Sequence, residues 1–227
     1  RGFGEDLRSD YRLEGCELGA AGSHVTVNVA GHEIEAEIGV PGRHMVQNML
    51  AVLGAAHLAG ADVEKAAGAL AELPAERGRG MRLRLRHPKG EFALIDESYN
   101  ANPASMGAAL KLLDSAEVEG GGRRIAVLGD MLELGAHSRE LHSALAEVIA
   151  GTRTDMVLLA GEEMKALADS LPQGVRKQHR GSVEEIIPLL LKTVRPGDAV
   201  MVKSSNGLGF SRLVDALVRH YPAADHK

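Results

Sequence analysis

From Phe92 onward the chain alternates short, nearly unbroken apolar runs with stretches of helical spacing, and this repetition restricts the fold more than any other feature. Strands are predicted at Phe92–Asp96, Ile125–Leu128, Met156–Ala160 and Ala199–Val202, with a weaker one at Val175–His179. Helices are predicted between and after them at Pro103–Ser115, Ser138–Ala150, Glu162–Ser170, Val183–Val194 and Phe210–Tyr221. Ser182, with Glu185 three residues on, predicts a capping box at the fourth of these helices. A strand apolar on both faces must be covered on both, and the helix that returns the chain to the next parallel strand supplies the cover. The expectation is an α/β fold with a Rossmann-like, mostly parallel sheet. Ligands of such sheets gather beyond the strand carboxyl ends, which here carry Asp96-Glu97, Gly129-Asp130, Gly161-Glu162 and Lys203-Ser204.

The first third has a different period. Between Tyr11 and Ile38 apolar and polar residues alternate in runs joined by Gly turns, as in antiparallel strands with one wet face. Two helices follow. One begins near Pro41 and places Met45, Met49, Val52, Leu53 and Ala56 at helical spacing, with His44 and Asn48 four apart on one face. The other runs from Asp62 to Leu73. Pro74–Gly80 is poor in apolar residues and reads as a linker, dividing the chain into residues 1–76 and 77–227. The basic run Arg77, Arg79, Arg82, Arg84 and Arg86 reads as that linker plus a solvated strand face. Gly207-Leu208-Gly209 opens like a dinucleotide fingerprint, but Arg212 stands where a third glycine is needed.

Charge and composition exclude several classes. A net charge of −5 and 3% aromatic residues provide neither a basic field nor stacking platforms, so nucleic acid is not an expected partner. A single cysteine, Cys16, permits no internal disulfide. No signal peptide is read in these residues and no apolar run is long enough to span a bilayer, so membrane insertion is not expected; a cytoplasmic location is a separate expectation. The chain begins at Arg1 within a polar loop, which predicts a piece of a longer protein.

The densest chemistry lies at the end of the Phe92 strand, where Asp96-Glu97 is followed by Ser98-Tyr99-Asn100-Ala101-Asn102-Pro103. Asn102 can cap a helix that has Pro103 in its first turn. Together with Leu128–Gly135 (LGDMLELG) and Pro41–Asn48 (PGRHMVQN), this run resembles the Mur ligase family. The YNANP form, with Ser105-Met106 behind it, resembles the member that adds D-alanyl-D-alanine to UDP-N-acetylmuramoyl-tripeptide in peptidoglycan synthesis.

The resemblance implies a three-domain enzyme, of which this chain would hold the end of the central ATPase domain and the whole C-terminal domain. It implies ATP and Mg2+, both held mainly by upstream residues, amide bond formation through an acyl phosphate, and a monomer at full length. By position, Arg79 matches a catalytic arginine at the ATP phosphates. His44, Asn48, Asp96, Glu97, Asn100 and Asn102 match nucleotide-binding residues, and Asp130, Glu133, Lys203, Ser204 and Ser205 face the incoming dipeptide. No residue here is matched to a metal. No phosphate-cradling Gly-x-x-x-x-Gly-Lys-Ser/Thr loop occurs in these residues, so they are not expected to turn over alone. Met45, Glu97 and Asn206 depart from the family's more usual Asn, Asp and Arg. Two alternatives stay open: a relative joining glutamate or aspartate, of the folylpolyglutamate or cyanophycin type, and a non-catalytic nucleotide-binding module.

Overall fold

A computed structural model describes residues 1–19, 22–40, 42–73 and 76–224. They form two compact units, Arg1–Ala75 and Glu76–Lys227.

In the first unit, β1 (Phe3–Gly4), β2 (Tyr11–Leu18), β3 (Ser23–Val29) and β4 (His32–Ile38) make one sheet in that order. β2, β3 and β4 are antiparallel as expected, while the two-residue β1 adds a parallel edge to β2. Val25, Val27 and Val29 alternate inward beneath α1 (Arg43–Leu58) and α2 (Val63–Ala71). The Asp62 side chain caps α2 through the Lys65 N–H. The buried stripe of α1 is Val46, Met49, Leu50 and Leu53, whereas Val52 is 48% exposed. This corrects the expected phase: positions 46, 49, 50 and 53 follow the 3, 4, 7 spacing of one face, and Val52 lies about 100° around the helix from Leu53. Pro41 and the side chain of His44 lie outside the described residues.

The second unit holds β5 (Met81–His87), β6 (Gly90–Glu97), α3 (Pro103–Ser115), β7 (Arg124–Gly129), α4 (Ser138–Ala150), β8 (Met156–Ala160), α5 (Met164–Ser170), β9 (Arg176–Arg180), α6 (Val183–Thr193), β10 (Ala199–Lys203) and α7 (Ser211–His220). The strand order is β5-β6-β10-β7-β8-β9, with only the β5–β6 pair antiparallel. α3, α4 and α5 cover one face, packing on Ile95, Ala126, Leu128, Val157, Leu159 and Met201. α6 and α7 cover the other, over Phe92, Leu94, Val127, Leu158, Val200 and Val202. Successive residues of each inner strand thus serve opposite cores, which is why these runs show no polar alternation.

Three local expectations change. Ser182 precedes α6 but makes no capping bond, so the expected box with Glu185 does not form; Glu184 instead pairs with Arg212 at 2.6 Å. The capping box that does form is at α3, where Asn102 Oδ1 accepts from the Ser105 N–H and Ser105 Oγ accepts from the Asn102 N–H. Pro74 and Ala75 of the expected linker lie outside the described residues, but Arg77–Gly80 is a turn bound to the end of β6.

Candidate active site at the strand carboxyl ends

β10, last in sequence, lies between β6 and β7, the first two parallel strands. Residues about a hundred positions apart therefore become neighbours, with Lys203 level with Glu97 on one side and Leu128 on the other. Lys203 Nζ lies 3.1 Å from Glu97 Oε2 and donates to the Asn100 carbonyl at 2.9 Å. The two side chains are 3% and 10% exposed, so this is a buried ion pair bracing the loop after β6.

Asp96 is fully buried and its carboxylate is engaged within the chain. Oδ2 accepts from the Gly78 N–H at 2.9 Å, and Oδ1 accepts from the N–H and hydroxyl of Ser98 at 3.1 and 2.6 Å. The Gly80 N–H reaches the Asp96 carbonyl, and the Tyr99 N–H reaches the Gly78 carbonyl. Gly78 has φ +78°, and a Cβ there would stand 2.8 Å from that of Tyr99, so the close approach needs glycine. The turn presents Arg79, whose guanidinium lies 4.1 Å from the Tyr99 ring centroid and is more than half exposed. Such stacking orients the fork, whose Nε lies 3.8 Å from the exposed Glu76 carboxylate. Asn100 is exposed, with Oδ1 turned back onto the Ala101 N–H.

Beyond β7, burial pushes the Asp130 carboxyl above the ordinary carboxylate range, against the opposing pull of the Met164 and Glu163 N–H groups. Oδ1 accepts from the Met164 N–H at 2.8 Å, and this cap explains why α5 starts at Met164 rather than the expected Glu162. Gly161, at φ +115°, makes room: a Cβ there would lie 2.3 Å from the Asp130 carboxyl. The Asp130 carbonyl accepts from the Ser205 N–H, and Ser205 Oγ accepts from the Leu132 N–H at 2.9 Å. Ser204 is buried, its hydroxyl on the Ser205 carbonyl. Glu133 is exposed and has a left-handed backbone, φ 65°, uncommon for a residue with a Cβ.

His142 was not anticipated. Fully buried on α4, its Nε2 accepts from the Met131 N–H at 2.9 Å, which leaves the proton on Nδ1 to bond the Ser138 carbonyl at 2.7 Å. The Ser138 hydroxyl donates to Glu163 at 2.8 Å. The signal was a polar residue on an apolar stripe, since His142, Leu145, Ala146 and Ile149 follow the 3, 4, 7 spacing of a buried face.

The strand ends thus assemble Asp96, Glu97, Asn100, Asn102, Asp130, Glu133, Lys203, Ser204 and Ser205, with Arg79 on the adjoining turn. Asn48 is exposed on α1 of the first unit, its amide 3.9 Å from Met45 Sδ.

The description "Mur ligase, glutamate ligase domain" matches residues 81–206, more than half of the chain. The chain belongs to the Mur ligase family. It is 30% identical over 219 residues to the UDP-N-acetylmuramoyl-tripeptide--D-alanyl-D-alanine ligase of Bacillus subtilis, covering 95% of this chain and 46% of the relative. The enzyme of that name from Escherichia coli is 31% identical over 210 residues, 92% of this chain and 44% of the relative. Among solved structures, MurF from Acinetobacter baumannii superposes with a TM-score of 0.78 at 24% identity, covering 96% of this chain and 46% of that one. MurF from Thermotoga maritima in complex with ADP gives 0.73 at 23% identity, covering 96% and 48%. These two likenesses show the Mur ligase fold. The chain spans a little under half the length of the curated relatives it matches.

Proposed function

We propose that these residues are part of an ATP-dependent ligase that joins D-alanyl-D-alanine to UDP-N-acetylmuramoyl-tripeptide in peptidoglycan synthesis, in the cytoplasm. The supporting observation is the match of nearly the whole chain to curated ligases of that name, with YNANP after β6 and LGDMLELG at the end of β7, on either side of β10. In this reading the first unit is the end of the central ATPase domain and the second is the C-terminal domain. The phosphate loop is then contributed by residues outside these 227.

The tripeptide carboxylate becomes an acyl phosphate with ATP as phosphoryl donor, the dipeptide amine attacks the carbonyl, and the tetrahedral adduct expels phosphate. What these residues must provide is charge neutralisation at phosphoryl oxygens and placement of the amine. Arg79 suits the first task, because its guanidinium is more than half exposed on a turn that Asp96 holds. By the resemblance to the family, we assign His44, Asn48, Asn100 and the capped Asn102 to the nucleotide. We assign Asp96 and Glu97 to holding the Arg79 turn and Lys203, because both Asp96 oxygens and Glu97 Oε2 are already bonded. The dipeptide lies against the 130–133 and 204–205 loops. Among the described residues no group of three His, Cys, Asp or Glu side chains could hold a metal ion, so no step through Mg2+ is assigned to them.

The test is ADP release by the protein at its natural length, with the UDP-linked tripeptide and one of several amines. D-Alanyl-D-alanine should support turnover and L-alanyl-L-alanine, glutamate and aspartate should not. Turnover with glutamate or aspartate alone would transfer the reading to a different ligase of the family, and ATP binding without turnover would favour a nucleotide-binding module.

A further inference from the structure

Among the described residues of the second unit, two large apolar side chains are exposed, Tyr99 at 47% and Leu132 at 45%. Both follow carboxyl ends of inner strands, Tyr99 after β6 and Leu132 after β7, on either side of the end of β10. Tyr99 already carries the Arg79 guanidinium. Leu132 carries nothing comparable, yet its backbone is fixed more firmly than an idle loop residue requires. The preceding N–H, of Met131, is bonded by buried His142, and its own N–H is bonded by buried Ser205. Met131 is 1% exposed in the core, and Glu133 on the other side takes a left-handed backbone. With Met131 committed inward, the chain must turn Leu132 outward. It lies over Gly207, where a Cβ would stand 3.0 Å from its Cδ1.

Two strand spacings separate β6 from β7, about 10 Å. An extended dipeptide, at about 3.5 Å per residue, fits that gap. Within the reading given under Proposed function, on which this rests, we infer that Leu132 is a specificity-determining residue: its isobutyl group is the apolar wall against which one side-chain methyl of the incoming dipeptide packs. His142 and Ser205 act as positioning residues for that wall. A methyl against such a wall contributes on the order of tenfold in selectivity, and an exposed Leu is the side chain that can supply it without altering the charge around Asp130.

The test is calorimetric titration of the protein at its natural length with D-alanyl-D-alanine, D-alanyl-glycine and glycyl-D-alanine, repeated for Leu132→Ala and Leu132→Met. The wild-type chain should favour the parent dipeptide over one of the two analogues by about tenfold. That ratio should fall to near one in Leu132→Ala and persist in Leu132→Met. A variant that merely loosened the loop would weaken all three ligands together and leave the ratios intact, which overturns the inference while sparing the dipeptide reading. Wild-type binding of none of the three would overturn the placement of the dipeptide on these residues, and the inference with it.

Discussion

Replacing Lys203 with Met tests whether the buried pair braces the site. The substitution keeps a linear apolar stem of similar volume and removes the ammonium, leaving Glu97, whose side chain is 10% exposed, without its partner, and the Asn100 carbonyl without its donor. Breaking a buried pair from one side costs about 3–5 kcal/mol, because the remaining charge is desolvated and uncompensated. The lost bond at Asn100 falls within that range, since the loop can open its carbonyl to water. We expect about 4 kcal/mol, close to a thousandfold at about 1.4 kcal/mol per decade. Hydrogen exchange at the amides of Val200, Met201 and Val202 reads this unit alone, because their protection reflects opening of the inner sheet. Their protection should fall by about three orders of magnitude in Lys203→Met. Most should return in Lys203→Met with Glu97→Gln, where no buried charge remains. A loss under about tenfold in the single variant, or no recovery in the double, would refute the idea that pairing across β10 and β6 holds the site loop.

The remaining expectations are smaller. Asn102→Ala should destabilise the second unit by about 1 kcal/mol in urea denaturation, through loss of the α3 cap, whereas Ser182→Ala should change it by no more than a few tenths. Asp130, whose pKa is raised in the folded state, binds more protons folded than unfolded, so its contribution to stability falls as pH rises from the ordinary carboxylate range through the raised value. Asp130→Asn, which can keep the Met164 bond through its amide oxygen, should therefore flatten the stability profile in that window; an unchanged profile would remove Asp130 as its source. Gly161→Ala should displace the Asp130 carboxyl, visible as lost protection at the Met164 amide.

Much of this fold could be read from periodicity, because an inner parallel strand is apolar on both faces and its helix carries a 3.6-residue stripe. Met156–Ala160, Pro103–Ser115 and Ser138–Ala150 lie where the pattern places them. β1 was not legible, since two residues carry no period. The outcome at the site divides along a physical line. That Asp96, Glu97, Asp130 and Lys203 stand at strand ends follows from where each apolar run stops. What they bond does not, because it depends on β10 entering between β6 and β7, a pairing across 106 residues that no local pattern encodes. Asp96, matched through the resemblance to a nucleotide contact, has its oxygens on Gly78 and Ser98, and His142, on an apolar stripe, holds Met131. The capping residues show the same limit. Ser182 with Glu185 has the right letters but no bond, and Asn102 with Ser105 makes the reciprocal pair without a Glu or Gln.

The central claim is that the ends of β6, β10 and β7 receive the dipeptide. The most direct measurement is the change in backbone amide resonances of the 15N-labelled chain when D-alanyl-D-alanine is added, with L-alanyl-L-alanine as the control. Shifts confined to the D,D form and centred on Leu132, Glu133, Ser204 and Ser205 are the expected result. Shifts of equal size with the L,L form, or centred away from these strand ends, would contradict it.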